Sequence, residues 1–137
     1  MHETHNITAT LVSDSDRLSF LPRVFGVRAM MRAESMVYDW MGRLCEGYGG
    51  GYWHFFSLSN GGMFMAPNSE DGYRIAVDGN GFSGHVSSEA AGIVATLFAL
   101  CQLAEQTGAD RLIDLYHLLR DFASTHEEAS LILSAID

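Results

Sequence analysis

The sequence predicts an α+β domain in which a small antiparallel β-meander of three or four strands packs against four or so α-helices. Three observations carry that prediction. Apolar residues recur at helical spacing from Glu34 to Glu46, the section from Tyr52 to Val86 is rich in aromatic residues and alternates at strand spacing over Tyr73 to Val77, and helical spacing returns from Ser88 to the end. Asn-Gly and Asp-Gly dipeptides punctuate only the middle section, where tight hairpins need them. With 137 residues, 47% hydrophobic and 18% charged, the chain suits one domain spanning 1–137 and lies far from the composition of disordered proteins.

Residues 1–12 carry no periodic pattern and are expected to form a flexible tail. The tail has neither a basic n-region nor an apolar h-region, so a cytoplasmic location is expected. Asp14 to Leu21 predicts a short capped helix stopped by Pro22, because proline disfavours helical geometry in the residue before it. Arg23 to Arg32 fits no period. From Glu34 to Glu46, Met36, Val37, Trp40, Met41, Leu44 and Cys45 form one stripe, and Asp39 and Arg43 on the opposite face are expected to pair at i,i+4.

Gly47 to Gly51 ends that helix. The aromatic run Tyr52 to Ser59 predicts a strand, Asn60-Gly61-Gly62 a tight turn, and Met63 to Ala66 the returning strand. After a polar loop, Tyr73 to Val77 forms a third strand, Asp78-Gly79-Asn80-Gly81 a second turn and Phe82 to Val86 a fourth strand. Ser87-Ser88-Glu89 caps a helix from Ser88 to Thr107 that Gly108 terminates. Asp110 is expected to cap a helix reaching Ser124, and Thr125-His126-Glu127-Glu128 reads as a capping box for a last helix with Ala129, Ile132, Leu133 and Ile136 on one face.

Charge narrows the chemistry. The formal net charge is −9, all eight basic residues are arginine, and lysine is absent. Lysine Schiff-base chemistry and the phosphate-loop lysine are thereby excluded, and direct nucleic-acid binding is disfavoured because phosphate neutralisation needs a basic surface. The uncharged run Ala90 to Ala104 is shorter than the roughly 20 residues that cross a bilayer, so it predicts a buried central helix and no membrane. Cys45 and Cys101 both fall in apolar helical patterns and read as buried thiols; whether they are bridged is left open.

Gly79-Asn80-Gly81-Phe82-Ser83-Gly84 satisfies the dinucleotide pattern G-x-G-x-x-G, but no helix opens from it, so a hairpin turn is the better reading. The histidines His2, His5, His54, His85, His117 and His126 make no metal-ligand spacing. His54 could act as a base with Asp39 or Asp78, yet no nucleophile accompanies it. Tyr52, Trp53, Phe55 and Phe56 read as sheet core, with one or two free to project as protein-binding anchors. No catalytic residue, cofactor or metal is expected; the alternative is a nucleotide-dependent or DNA-associated enzyme built on His54 and the Gly79–Gly84 turn.

Five segments point to a family. They are Met36-Val37-Tyr38-Asp39-Trp40-Met41, Gly49 to Pro67, Ile75 to Phe82 and the run Ala90 to Cys101 with Arg111 to His117 beyond it. Together they resemble the ArdB/KlcA antirestriction proteins of plasmids and other mobile elements. The resemblance implies inhibition of type I restriction–modification enzymes, at DNA cleavage and not methylation, through protein contact that is direct or made by way of a host factor. It also implies action without DNA mimicry. The acids agree: Asp110, Asp114 and Asp121 share a face over roughly 16 Å, too sparse beside a duplex carrying one charge per ~1.7 Å. The candidate interaction surface is Asp39, Arg43, Trp53, Asn60, Asp78 and Asn80, with a second patch of Asp110, Asp114, Asp121 and Asp137. A monomer or weak homo-oligomer is expected.

Overall fold

A 20-residue helix with almost no polar side facing water organises the domain. A computed structural model describes residues 6–137, and in it this helix, running Ser88–Thr107, follows two helices and five strands. In chain order the elements are β1 (Ala9–Leu11), α1 (Arg17–Phe25), α2 (Met30–Leu44), β2 (Trp53–Leu58), β3 (Met63–Pro67), β4 (Tyr73–Val77), β5 (Phe82–Val86), α3 (Ser88–Thr107), α4 (Asp110–Thr125) and α5 (Ala129–Ile136). The sequence set both ends of α3. The Ser87 side chain accepts from the Ala90 N–H at 3.1 Å, and Gly108 takes the left-handed conformation at φ 68°. Although α3 is long and apolar enough to cross a membrane, Ile93, Val94, Leu97 and Leu100 are buried inside the domain.

One contact of α3 explains the sheet topology. A side chain on Gly92 would collide with the Met65 carbonyl and the Ala66 backbone, so the helix lies directly on the edge of β3. One turn later, the Thr96 hydroxyl accepts from the Met65 N–H at 3.3 Å and lies 3.4 Å from the Met65 carbonyl. A helix hydroxyl thus occupies the edge where a fourth strand would pair. The expected single meander is accordingly two sheets: β1-β2-β3, and a separate β4-β5 hairpin, all antiparallel. The α+β class is as predicted.

In the larger sheet Phe56 pairs opposite Phe64 and Thr10 opposite Ser57. All five residues of β3 are buried, because α3 and α4 cover it; Phe64 stacks between Phe56 and Phe122 of α4 with centroids at 4.6 and 5.8 Å. The amino-terminal tail expected through residue 12 instead contributes β1, three residues too few to show a period. Residues 1–5, with the expected tail histidines His2 and His5, lie outside the described residues.

Several helix ends differ from the sequence reading. Helix α1 does not stop at Pro22 but continues to Phe25. Proline removes a donor that would have met the Leu18 carbonyl, and Leu18 is 93% exposed, so water can satisfy that carbonyl. Asp110 is the first residue of α4 and makes no capping bond; Ala109 holds the cap position. The expected capping box does not form either. Glu128 turns away from its own helix and accepts from the Ser87 N–H at 3.0 Å and from the Ser87 hydroxyl, fastening the start of α5 to the start of α3. Beside it, His126 Nε2 bonds Glu89 at 2.6 Å while Nδ1 accepts from the Glu128 N–H at 2.9 Å.

Candidate functional site

The two hairpin turns use their asparagines in the same way. Asn60 accepts from the Gly62 N–H at 2.9 Å and donates to the Leu118 carbonyl of α4 at 2.9 Å. Asn80 accepts from the Phe82 N–H at 2.9 Å and donates to the Ala135 and Ser134 carbonyls of α5 at 2.9 and 3.3 Å. Each amide closes its own turn and then anchors that turn to a helix. Within these two turns only Gly61 and Gly81 take positive φ, 94° and 75°. Asn60 and Asn80 therefore already spend their polar groups inside the fold.

Trp53 is 3% exposed, donates its indole N–H to the Tyr48 hydroxyl at 2.6 Å and meets the Tyr38 ring edge-on at 5.1 Å. It belongs to the core and not to a recognition surface. The outward-facing aromatic near it is Tyr52, 51% exposed, with the Arg17 guanidinium 4.6 Å from its ring centroid. Burial and the Glu34 carboxylate that its hydroxyl donates to both push the Tyr38 phenol well above its ordinary pKa.

Asp39 and Arg43 are both exposed, but among the described residues they form no ion pair. Arg43 lies 4.9 Å from the centroid of the Trp40 ring, itself stacked on Phe98 at 4.6 Å. A flat aromatic platform three residues back outcompetes a solvent-screened carboxylate. Arg43 and Asp78 do converge on one open groove of about 740 Å³, one wall of which is Gly72 followed by Tyr73 to Ala76 of β4.

On α4, Asp110, Asp114 and Asp121 are exposed on the face opposite Leu112, Leu115 and Leu119. The two arginines of this helix point elsewhere: Arg111 donates to the Val24 carbonyl of α1, and Arg120 pairs with Asp137 at 3.3 Å and reaches the Tyr116 hydroxyl at 3.5 Å. Asp137 is therefore neutralised by a partner and is not an extension of the acidic stripe.

The chemistry of the enzyme alternative is not assembled. His54 lies on β2 between Tyr52 and Phe56, with ring centroids at 5.2 and 6.3 Å, and neither Asp39 nor Asp78 bonds to it. Gly79 to Gly84 is the β4-β5 turn followed by strand, and no helix opens from it. Among the described residues no group of three or more His, Cys, Asp or Glu converges as metal ligands would. Both cysteines are free; Cys45 is buried, while Cys101 is exposed on α3, contrary to the sequence reading, because its helix face looks out between α2 and α4. Partial burial together with Glu105 raises its thiol pKa.

No residue from Leu18 to Arg32 belongs to the surface predicted from sequence. The signal available there was a set of four arginines, Arg17 to Arg32, unbroken by any carboxylate.

The fold and its surface define an α+β protein whose distinctive residues are turn anchors, core aromatics and exposed charges. Comparison with known proteins makes the class specific. Residues 46–137 match the family described as Antirestriction protein. Two Escherichia coli proteins named antirestriction protein KlcA are 56% and 58% identical, covering 96% of this chain and 95% and 94% of theirs. A further relative, the uncharacterized protein YafX of E. coli K12, is 40% identical over 96% of this chain and 88% of its own length. A solved structure matches with a TM-score of 0.93 at 55% identity, covering 100% of this chain and 99% of that one. It comes from work on KlcA and ArdB describing a novel fold and antirestriction activity against type I DNA restriction systems in vivo but not in vitro. The chain belongs to the antirestriction protein family.

Proposed function

We propose that this protein inhibits type I restriction–modification enzymes at DNA cleavage, sparing methylation, and so protects incoming plasmid or mobile-element DNA in the cytoplasm. The observation that carries the reading is the 0.93 TM-score at 55% identity, over essentially the whole chain, to a protein described as active against type I systems. Function lives in particular sites and not in the fold, so the 55% identity over full length supports the reading beyond what a shared fold alone would.

Protein contact suits the surface better than DNA imitation. Asp110, Asp114 and Asp121 place three carboxylates over roughly 16 Å of helix, where duplex DNA at one charge per ~1.7 Å presents about nine. A net charge of −9 argues equally against gripping DNA directly. The solved relative's activity in vivo but not in vitro fits an action that needs a further cellular component, reached through a protein surface.

The test is plating efficiency. Cells carrying a type I restriction system and expressing this chain are expected to plate unmodified phage nearly as well as restriction-deficient cells, while their DNA remains methylated. Restriction undiminished at full expression overturns the assignment.

A further inference from the structure

We infer that the helical corner formed by α1, the following turn and the first turn of α2 is a docking surface for an acidic, apolar-studded face of a partner protein. The inference rests on the antirestriction reading only for the partner's biological setting.

Among the described residues, the three most exposed large apolar side chains are Leu18, Val27 and Met31, at 93%, 75% and 71%. All three lie within fourteen consecutive residues, on α1, on the turn and at the start of α2. Scattered exposed apolar residues are ordinary, but a local cluster of them marks contact surfaces. Elsewhere among the described residues the exposed large apolar side chains, Leu11, Tyr52, Ile113 and Leu131, are scattered along the chain and less exposed, and the core is filled by 33 buried hydrophobic residues, so this group does not reflect a poorly filled core.

Charge singles out the same corner. From Arg17 to Arg32 there are four arginines and no aspartate or glutamate, whereas three of the 17 carboxylates precede Arg17 and the other fourteen follow Arg32 together with the remaining four arginines. Arg17 is held over Tyr52 and Phe55, and Arg32 reaches Gln106, but Arg23 and Arg28 project as exposed cations without an ion pair to any described residue. An acidic protein thus carries its longest arginine-bearing stretch without a carboxylate in the same segment as its most exposed apolar side chains.

Shape favours a protein partner. Two hollows flank α1: one of about 220 Å³ lined by Leu18, Leu21, Pro22 and Met30 with Arg17 and Glu34 at its polar side, and one of about 440 Å³ lined by Phe20 and Val24 with Arg23, Arg111 and Asp16, among others. Protruding side chains fit such hollows, with carboxylates placed against the exposed Arg23 and Arg28. A flat membrane surface would leave the hollows unused. Duplex DNA offers phosphates to the arginines but nothing to the exposed Leu18, Val27 and Met31.

The experiment pairs a direct probe with the cellular assay, using the full chain and two triple variants, R23E/R28E/R32E and L18S/V27S/M31S, each checked for an unchanged melting temperature. The probe is a fluorescein-labelled 20-residue peptide with Glu and Leu at helical spacing. It is expected to bind the wild-type chain with strong salt dependence, at least tenfold more weakly to either variant, and both variants are expected to lose at least tenfold in phage protection. Absence of peptide binding, binding unchanged in the variants, or full protection by folded variants overturns the proposal. So does binding to duplex DNA or phosphatidylglycerol vesicles that the charge reversal abolishes, or a wild-type dimer that the variants dissociate without loss of protection. If the wild-type chain gives no protection at all, the antirestriction reading falls separately, and the peptide arm decides the corner alone.

Discussion

The carboxyl-terminal end of the molecule and the α1–α2 corner use their polar residues in opposite ways. At the first, Asn60 and Asn80 bolt both hairpins to α4 and α5, Glu128 and Glu89 are bound to Ser87 and His126, and Asp137 is paired with Arg120. At the second, Arg23 and Arg28 extend into solvent beside apolar side chains that the core does not use. Polar groups consumed by the fold are poor candidates for recognition, however exposed their turns look. Groups left over by the fold are better ones.

Substitutions can sharpen or break this contrast. The largest effect is expected at Gly92, beneath both regions: Gly92→Val forces α3 off β3 and should cost about 3 kcal/mol or more, read as a collapse of the denaturant midpoint. Thr96→Val leaves the Met65 N–H without a partner and should cost about 1–3 kcal/mol. Next come the turn anchors. Asn60→Ala and Asn80→Ala should each cost about 1–2 kcal/mol, and a loss near zero at both would undo the claim that these residues are structural. The smallest effects belong to exposed charges: Asp114→Asn or Arg28→Ala should change stability by no more than about 0.5 kcal/mol.

A pH titration examines the carboxyl-terminal end separately. The Glu89 carboxylate bonded to Nε2 raises the His126 pKa; burial opposes it, as does the Glu128 N–H donated to Nδ1, since an imidazolium carries hydrogens on both nitrogens. A group whose folded pKa is raised contributes its full stability below its unfolded value of 6.5, and loses that contribution as pH rises through the folded value. Stability should therefore decline above pH 6.5, and Glu89→Gln should both lower the His126 pKa seen by NMR and flatten the decline. An unshifted His126 pKa in the variant would show that the bridge is not formed.

The sequence was legible where local chemistry decides structure. Ser87 and Gly108 mark the ends of α3, and the strands Tyr73–Val77 and Phe82–Val86 follow from alternation and a turn. It was illegible where a distant surface decides. Nothing local shows that Gly92 and Thr96 would take the edge of β3 and split the meander, or that a helix would continue through Pro22 because its orphaned carbonyl faces water. The same holds for the candidate surface. Asp39, Arg43, Asp78, Asp110, Asp114 and Asp121 are exposed as an interaction surface requires, whereas Trp53, Asn60, Asn80 and Asp137 are drawn into the fold by partners 5 to 58 residues away. Spacing does not record such partners, so turn asparagines that anchor helices and turn asparagines that greet a partner look alike in sequence.

The most direct test of the contrast is to measure melting temperature and phage protection together for R23E/R28E/R32E and for Asn60→Ala. The account predicts that the arginine variant melts like the wild type yet loses at least tenfold in protection, while the asparagine variant melts several degrees lower and, at a temperature where it remains folded, protects fully. Protection retained by the arginine variant and lost by the folded asparagine variant would contradict it.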